Sequence, residues 1–193
     1  MSGYDLESDD KSRMCGSVEP AFEHFVTAHT RPGALALDIG CGQGRDTLML
    51  ARHGYAVVAV DRSPAAIEHI IMKAAEEGIS IDAKVADYFE FQPQGEFDII
   101  VLDAVFHFDK ESRENELALL NRLSNHLSET GYLCLFVTRT PATDSTVRLW
   151  LSSSNNLKVI VEQEMAPPET EDASQGDDCR MLMLVLQRFP VSQ

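Results

Sequence analysis

The chain has 193 residues, a length that fits one domain. Hydrophobic residues make up 44% of it, enough for a sizeable core, and no stretch approaches the roughly 20 consecutive apolar residues of a membrane span. The 16 basic and 31 acidic residues give a net charge of −15, which disfavours nucleic acid as a partner because such binding depends on Lys and Arg neutralising phosphates.

The first residues, MSGYDLESDDKSRMC, are polar and acidic, which is not typical of a signal peptide, so we expect a cytoplasmic location. Residues 1–14 lack apolar periodicity and are expected to form a disordered arm, with a single domain over 15–193. We expect no metal site, because no zinc-binding spacing relates the four cysteines, Cys15, Cys41, Cys134 and Cys179. Cys134 lies in an apolar run and is interpreted as a core residue.

Apolar residues at helical spacing predict a first helix over Val18–His29. Short apolar runs then alternate with longer amphipathic stretches, which is typical of βαβ units and a parallel sheet. Five runs are predicted as strands: Ala34–Ile39, Ala56–Val60, Ser80–Val85, Phe97–Leu102 and Gly131–Thr138. The predicted helices between them are Asp46–His53, Pro64–Glu77 and Lys110–Leu127, the last with Leu117, Leu120, Leu123 and Leu127 on one face.

The second of these helices has clear end signals. Ser63 is the expected N-cap, Pro64 occupies the first turn and Gly78 ends the helix.

The C-terminal part has a different pattern. Leu157–Glu164 and Arg180–Arg188 are both strand-like, and the acidic, Pro-containing segment APPETEDASQGDD between them is too short for a crossover helix. We therefore predict an antiparallel hairpin with a long acidic loop. Pro141–Ser154, after the fifth strand, is interpreted as a short insert.

The segment Asp38-Ile39-Gly40-Cys41-Gly42-Gln43-Gly44 follows the first strand and opens a helix. Glycines at such a turn permit positive φ and let a ligand approach the backbone, while the helix N-terminus offers unpaired N–H groups. Asp61 ends the second strand about twenty residues further on, where a carboxylate can accept both ribose hydroxyls. Together these features predict nucleotide binding.

The spacing of the loop favours one class of nucleotide over another. NAD enzymes use G-x-G-x-x-G, but here Arg45 stands at the position of the third glycine, and Gly44 comes one residue early. The carboxylate of Asp38 would repel a pyrophosphate and attract an ammonium and a sulfonium. S-adenosylmethionine (SAM) has both cations and no phosphate. The alternative for Asp38 is that it only caps the turn.

The stretch Leu37–Ile67, LDIGCGQGRDTLMLARHGYAVVAVDRSPAAI, resembles the class I SAM-dependent methyltransferases. Its G-Q-G-R variant followed by LMLARHGYAVVAVD is similar to the tellurite-resistance and thiopurine methyltransferase-like branch. The overall resemblance covers about Ala34–Val137. It implies a Rossmann-like, doubly wound α/β fold with a seven-stranded, mostly parallel sheet and an antiparallel last strand. It also implies SAM as cofactor and S-adenosyl-L-homocysteine as product.

The resemblance implies roles for particular residues. Asp38 and Gly40 would hold the methionine part of SAM, Asp61 the ribose, with Arg62 beside the adenine. Asp87 would accept from the adenine amino group, its alternative being an ordinary turn residue. The whole expected cofactor-binding set is Asp38, Gly40, Cys41, Gly42, Gly44, Arg45, Asp61, Arg62, Ser63, Asp87, Tyr88, Asp103 and Ala104.

The segment Asp103-Ala104-Val105-Phe106-His107 matches the family segment that faces the reacting methyl group. It lacks the D/N-P-P-Y form, which disfavours methylation of adenine, cytosine or glutamine amides. His107 and Asp103 are the candidate catalytic residues, His107 as general base for an oxygen or protonated nitrogen acceptor. The alternative for His107 is a helix-start or packing histidine, and a thiolate or selenide acceptor needs no base.

Two arginines are candidates for binding an anionic acceptor. Arg45 either engages an oxyanion or pairs with Asp46 or Asp103, and Arg139 either binds an anion or is a solvated loop cation. The sequence alone does not decide between the two alternatives for either arginine.

The sequence thus predicts a SAM-dependent methyltransferase that acts on a small-molecule acceptor. The alternatives are a noncatalytic SAM-binding protein and an NAD(P)-binding oxidoreductase. With no separate substrate domain, the cleft would suit a small acceptor or completion by a second subunit in a homodimer.

Overall fold

The computed structural model describes residues 18–31, 33–165 and 180–190. The predicted arm, Cys15, Cys179 and the predicted loop of the terminal hairpin lie outside these residues. The helices within them are α1 Pro20–His29, α2 Arg45–Arg52, α3 Pro64–Glu77, α4 Arg113–Ser124 and α5 Pro141–Ser153. The strands are β1 Leu35–Ile39, β2 Ala56–Asp61, β3 Ile81–Val85, β4 Phe97–Asp103, β5 Leu127–Thr138, β6 Leu157–Met165 and β7 Met181–Arg188.

All seven strands form one sheet in the order β3-β2-β1-β4-β5-β7-β6. Neighbouring strands from β3 to β5 pair in parallel. β7 is antiparallel to both of its neighbours, β5 and β6. The seven-stranded fold with an antiparallel last strand and the pairing of the last two strands are therefore confirmed.

The inner strands β1, β4 and β7 are buried on both faces over most of their length, as expected for a sheet covered by helices, whereas the edge strands β3 and β6 are largely exposed. Leu37 and Ile39 of β1 belong to one apolar cluster, with α4 and α5, whereas Ala36 belongs to the other, with α1 and α2. Since side chains alternate along a strand, Asp38 faces the α2 side. Cys134 is fully buried, as predicted. No helix in the described ranges is long and apolar enough to cross a bilayer.

The ends of α3 are formed by the residues that the sequence indicated. The Oγ of Ser63 accepts a hydrogen bond of 3.3 Å from the main-chain N–H of Ala66. Gly78 ends the helix in the left-handed region at φ 68°, a conformation that costs glycine little.

The predicted helix over Lys110–Leu127 was too long at both ends. The carboxylate of Asp109 accepts the N–H groups of Glu111 and Ser112, so this segment is a turn and α4 begins only at Arg113. Leu127 belongs to β5, where it pairs with Phe97 of β4. Strand pairing between distant segments prevails here over local helical spacing.

The interpretation of Pro141–Ser154 as a short insert was wrong, because this segment forms α5. Thr140 caps the helix by accepting the N–H of Thr143 at 3.0 Å, and Pro141 occupies the first turn. Val147 and Trp150, three residues apart, are buried in the core. The Trp150 indole N–H donates to Asn121 of α4 at 2.7 Å, which joins the two helices.

We predict that Leu120→Ala lowers the free energy of unfolding by about 2–5 kcal/mol, because it opens a cavity in the α4 side of the core. Leu120 is fully buried, whereas Leu117, predicted for the same face, is only partly buried. Leu117→Ala is the matched control and should cost distinctly less in urea denaturation. Equal losses would contradict the deeper burial of Leu120 in the core.

Candidate functional site

The loops after β1 and β4 meet where the sheet reverses its order. β1 lies between β2 and β4, so the chain leaves β1 toward one side of the sheet and reaches β4 on the other. Ligands of open α/β sheets bind in the crevice at the carboxyl ends of the strands at such a switch point. This crevice is bordered by the glycine loop, residues 40–44, and by the β4 loop, residues 104–108.

The glycine loop is shaped by close contacts. A Cβ on Gly40 would lie 2.7 Å from a methyl carbon of Val105, and one on Gly44 would lie 2.5 Å from Cγ1 of Ile70. A Cβ on Gly42 would meet no atom within 4 Å, so this part of the loop faces open space. The contact between Gly40 and Val105 packs the β4 loop against the glycine loop. The open space at Gly42 leaves room for a ligand next to the backbone.

Asp38 is a buried carboxylate beside this loop, with 2% of its surface exposed. Its Oδ2 accepts a hydrogen bond of 2.5 Å from the hydroxyl of Thr47 in α2. Burial, together with the neighbouring carboxylate of Asp46, raises the pKa of Asp38 to about 7. A cationic ligand group at this carboxylate would restore its ionised form at neutral pH.

Asp61, at the end of β2, is held by two main-chain donors. Its Oδ2 accepts the N–H of Gly42 at 2.9 Å, and its Oδ1 accepts the N–H of Ser63 at 2.8 Å. The carboxylate therefore connects the glycine loop with the start of α3. Because each carboxylate oxygen has two lone pairs, both can still accept a ligand hydroxyl.

Arg45 joins α2 to the end of β4. Its Nε and Nη2 donate to the two oxygens of Asp46 at 3.1 and 3.0 Å, and Nη2 also pairs with Asp103. Of the interpretations for Arg45, pairing with Asp46 and with Asp103 is thus observed. Arg139, beyond β5, is likewise paired with two carboxylates, those of Asp144 and Glu164.

The loop after β3 contains the predicted adenine-binding residues. Asp87 is exposed and accepts the N–H of Phe89 at 2.8 Å, a hydrogen bond that fits a turn and leaves its second oxygen available. Tyr88 is partly buried, and its burial raises the pKa of its phenol. Arg122 of α4 donates to the carbonyls of Tyr88 and Phe89 at 3.0 and 2.8 Å. No local sequence pattern indicates this role for Arg122.

The β4 loop presents His107. Phe106 and Phe108 are buried, whereas His107 is exposed, so the interpretation of His107 as a packing residue was wrong. Ala104, next to Asp103, has φ 53° and donates its N–H to the carbonyl of Phe136 at 3.0 Å. His107 is thus an exposed residue on the chain segment that follows Asp103.

Comparison with known proteins identifies the family. The methyltransferase domain family matches residues 36–131. The cypemycin N-terminal methyltransferase of Streptomyces sp is 30% identical over 133 residues, 68% of this chain and 51% of that protein. The probable S-adenosyl-L-methionine-dependent methyltransferase TehB of Haemophilus influenzae (strain 10810) is 31% identical over 96 residues, 50% of this chain and 33% of that protein. The chain belongs to the class I SAM-dependent methyltransferases.

A solved structure agrees with this fold. The N-methyltransferase NodS from Bradyrhizobium japonicum, in complex with S-adenosyl-L-homocysteine, superposes with a TM-score of 0.71 at 18% identity and covers 95% of this chain and 94% of that one. Because the chain belongs to this methyltransferase family, the cofactor of its methyltransferase domain is SAM and not NAD(P). The chain spans 51% or less of the length of the two curated relatives above.

We predict that Gly44→Ala destabilises the methyltransferase domain more than Gly42→Ala, as measured by urea denaturation. Both residues have positive φ, 85° and 51°, so both substitutions incur the backbone cost of about 1–2 kcal/mol. Only the methyl group at position 44 would also displace Ile70, which adds about 1–3 kcal/mol of overpacking. Equal losses from the two variants would contradict this account of the loop.

Proposed function

We propose that this protein transfers the methyl group of SAM to a small-molecule acceptor at the crevice between the glycine loop and the β4 loop. The contact of Val105 with Gly40 is the observation that carries the proposal, because it packs the glycine loop, proposed to hold SAM, against the β4 loop, proposed to face the acceptor. In-line displacement requires donor and acceptor to be held in contact.

The residues at the crevice fit SAM. Asp38 and the backbone at Gly40 would hold its methionine part, and Asp61 its ribose. Arg62, Asp87 and Tyr88 would border the adenine. The remaining proposed contacts come from the loop and strand ends around the crevice, at Cys41, Gly42, Gly44, Arg45, Ser63, Asp103 and Ala104. Bound there, SAM supplies a methyl group already activated by its sulfonium.

On the acceptor side we propose Asp103 and His107 as the catalytic residues. His107 is exposed and can take a proton from an oxygen or nitrogen acceptor. Asp103 pairs with Arg45 through Oδ2, and none of the described residues donates to its Oδ1. That oxygen can therefore accept a hydrogen bond from the acceptor and orient it.

The charges around the crevice favour a neutral or cationic acceptor. Arg45 and Arg139, the two candidates for anion binding, are each paired with two carboxylates. An anionic acceptor would have to break these pairs in a protein of net charge −15. The cypemycin relative is named as an N-terminal methyltransferase, which supports an amine among the acceptors.

The decisive experiment is transfer of label from methyl-labelled SAM to a metabolite pool separated by charge into cationic, neutral and anionic fractions. We expect labelled product in the cationic or neutral fraction and none in added RNA. SAM binding without labelled product in any fraction would identify a noncatalytic SAM-binding protein. Label in RNA would replace the small-molecule acceptor by a nucleic acid.

We predict that Asp61→Ala weakens SAM binding at least tenfold, about 1.4 kcal/mol, in calorimetry. The change removes the proposed ribose acceptor and the two main-chain hydrogen bonds that shape its surroundings. Asp82→Ala, an exposed carboxylate on β3, is the matched control and should leave the affinity unchanged. Unchanged affinity in Asp61→Ala would refute the ribose assignment.

We predict that SAM affinity falls as the pH drops below about 7, approaching tenfold per pH unit, because the proton that Asp38 holds must be released before its carboxylate can pair with the SAM ammonium. The raised pKa also makes the stability of the folded protein depend on pH. Protonation of Asp38 stabilises the fold fully below its ordinary pKa of 3.8, and this stabilisation is lost as the pH rises through about 7. Calorimetry in buffers of different ionisation enthalpy measures the proton release directly. Asp38→Asn should bind SAM more weakly and without this pH dependence, and a wild-type affinity that is constant between pH 5.5 and 7.5 would count against the pairing.

A further inference from the structure

Glu116, in the first turn of α4, is buried with 2% of its surface exposed. Its Oε1 accepts the N–H of His107 at 3.1 Å, and its Oε2 accepts the N–H of Phe108 at 2.7 Å. Among the described residues, no Lys, Arg or His side chain pairs with this carboxylate. Burying a carboxylate costs several kcal/mol of desolvation. The two hydrogen bonds from main-chain N–H groups of the β4 loop offset this cost for Glu116.

The β4 loop has a backbone that needs such support. Ala104 and Phe108, at its two ends, have φ values of 53° and 51°. Left-handed conformations of residues other than glycine cost about 1–3 kcal/mol each and persist only where the surroundings impose them. The buried side chain of Phe106, the contact of Val105 with Gly40 and the carboxylate of Glu116 supply these restraints.

The restraints leave one ionisable side chain of the loop exposed. Val105, Phe106 and Phe108 are buried, whereas His107 between them is exposed. Glu116 accepts the main-chain N–H groups of His107 and Phe108. It therefore fixes the backbone from which the imidazole side chain of His107 extends. We propose that Glu116 is a positioning residue, which directs His107 toward the methyl acceptor; this inference rests on the proposed function.

The chemistry of the side chain is specific to this task. Two N–H donors require two acceptor atoms, and the ionised carboxylate of Glu offers two oxygens. A Gln at this position would offer one oxygen and one NH₂ group, which cannot accept. α4 also holds the loop after β3 through Arg122, so the same helix anchors both the proposed adenine loop and the acceptor loop.

The test compares Glu116→Gln with Glu114→Gln, the same change at an exposed position two residues earlier in α4. Each variant is first shown to be folded by urea denaturation, and its SAM affinity is measured by calorimetry. We expect Glu116→Gln to lower the rate of methyl transfer at saturating pool concentration at least tenfold, with SAM affinity within twofold of wild type. Glu114→Gln should match wild type in both. Loss of SAM binding in parallel with activity would show a general structural role and overturn the proposal.

A double-mutant cycle separates action through His107 from independent damage. If Glu116 acts through His107, then Glu116→Gln should lower the rate of His107→Asn by less than twofold. If the two effects multiply, or if His107→Asn alone has no effect, the positioning role is refuted.

Failure of the proposed function would be visible separately. A wild-type protein that binds SAM and transfers no label disproves methyl transfer, while hydrogen exchange still tests the anchoring of the loop. We expect the amides of His107 and Phe108 to exchange at least tenfold faster in Glu116→Gln than in wild type and in Glu114→Gln. Unchanged exchange would overturn the proposed role of Glu116.

Discussion

The contact between Gly40 and Val105 is the constraint on which the site depends. It joins the loop that follows β1 to the loop that follows β4, across the point where the order of the sheet reverses. Only a residue without a Cβ lets a methyl group of Val105 approach the backbone this closely. The proposed cofactor side and the proposed acceptor side of the crevice are therefore parts of one packed unit.

The charges of the site follow from the same arrangement. Parallel strands bring their carboxyl ends to one edge, and here Asp38, Asp61 and Asp103 come with them. Each carboxylate is stabilised differently: Asp38 by a hydroxyl, Asp61 by main-chain N–H groups and Asp103 by Arg45. With a pKa of about 7, Asp38 is only partly ionised at neutral pH, and Asp103 is ion-paired with Arg45. A cationic group such as the SAM ammonium would favour the ionised form of Asp38.

Helix α4 supports this edge from one face of the sheet. Glu116 holds the loop after β4 and Arg122 holds the loop after β3, so two chain segments that are far apart in sequence depend on one helix. The core side chain Leu120 lies between these two residues in the chain and is fully buried. Packing of the helix against the sheet and the geometry of the proposed site are thus linked through a single element.

The sequence by itself determined the features whose signals are local. The alternation of apolar runs and amphipathic stretches predicted the parallel sheet, Ser63 and Gly78 predicted the ends of α3, and the glycine loop with Asp38 predicted SAM as the kind of cofactor. In each case the residues that carry the signal are close in the chain or follow a regular period, so their meaning does not depend on distant partners.

Only the tertiary structure decided the rest. In the segment RENELALLNRLS, Glu116 and Arg122 are ordinary helix residues, and their roles exist only because the loops after β4 and β3 pack against α4. The pairing of Arg45 with Asp103 and the place of Leu127 in β5 were likewise decided by contacts between segments far apart in sequence. Such contacts have no local period or motif, because they depend on how complete elements pack against one another.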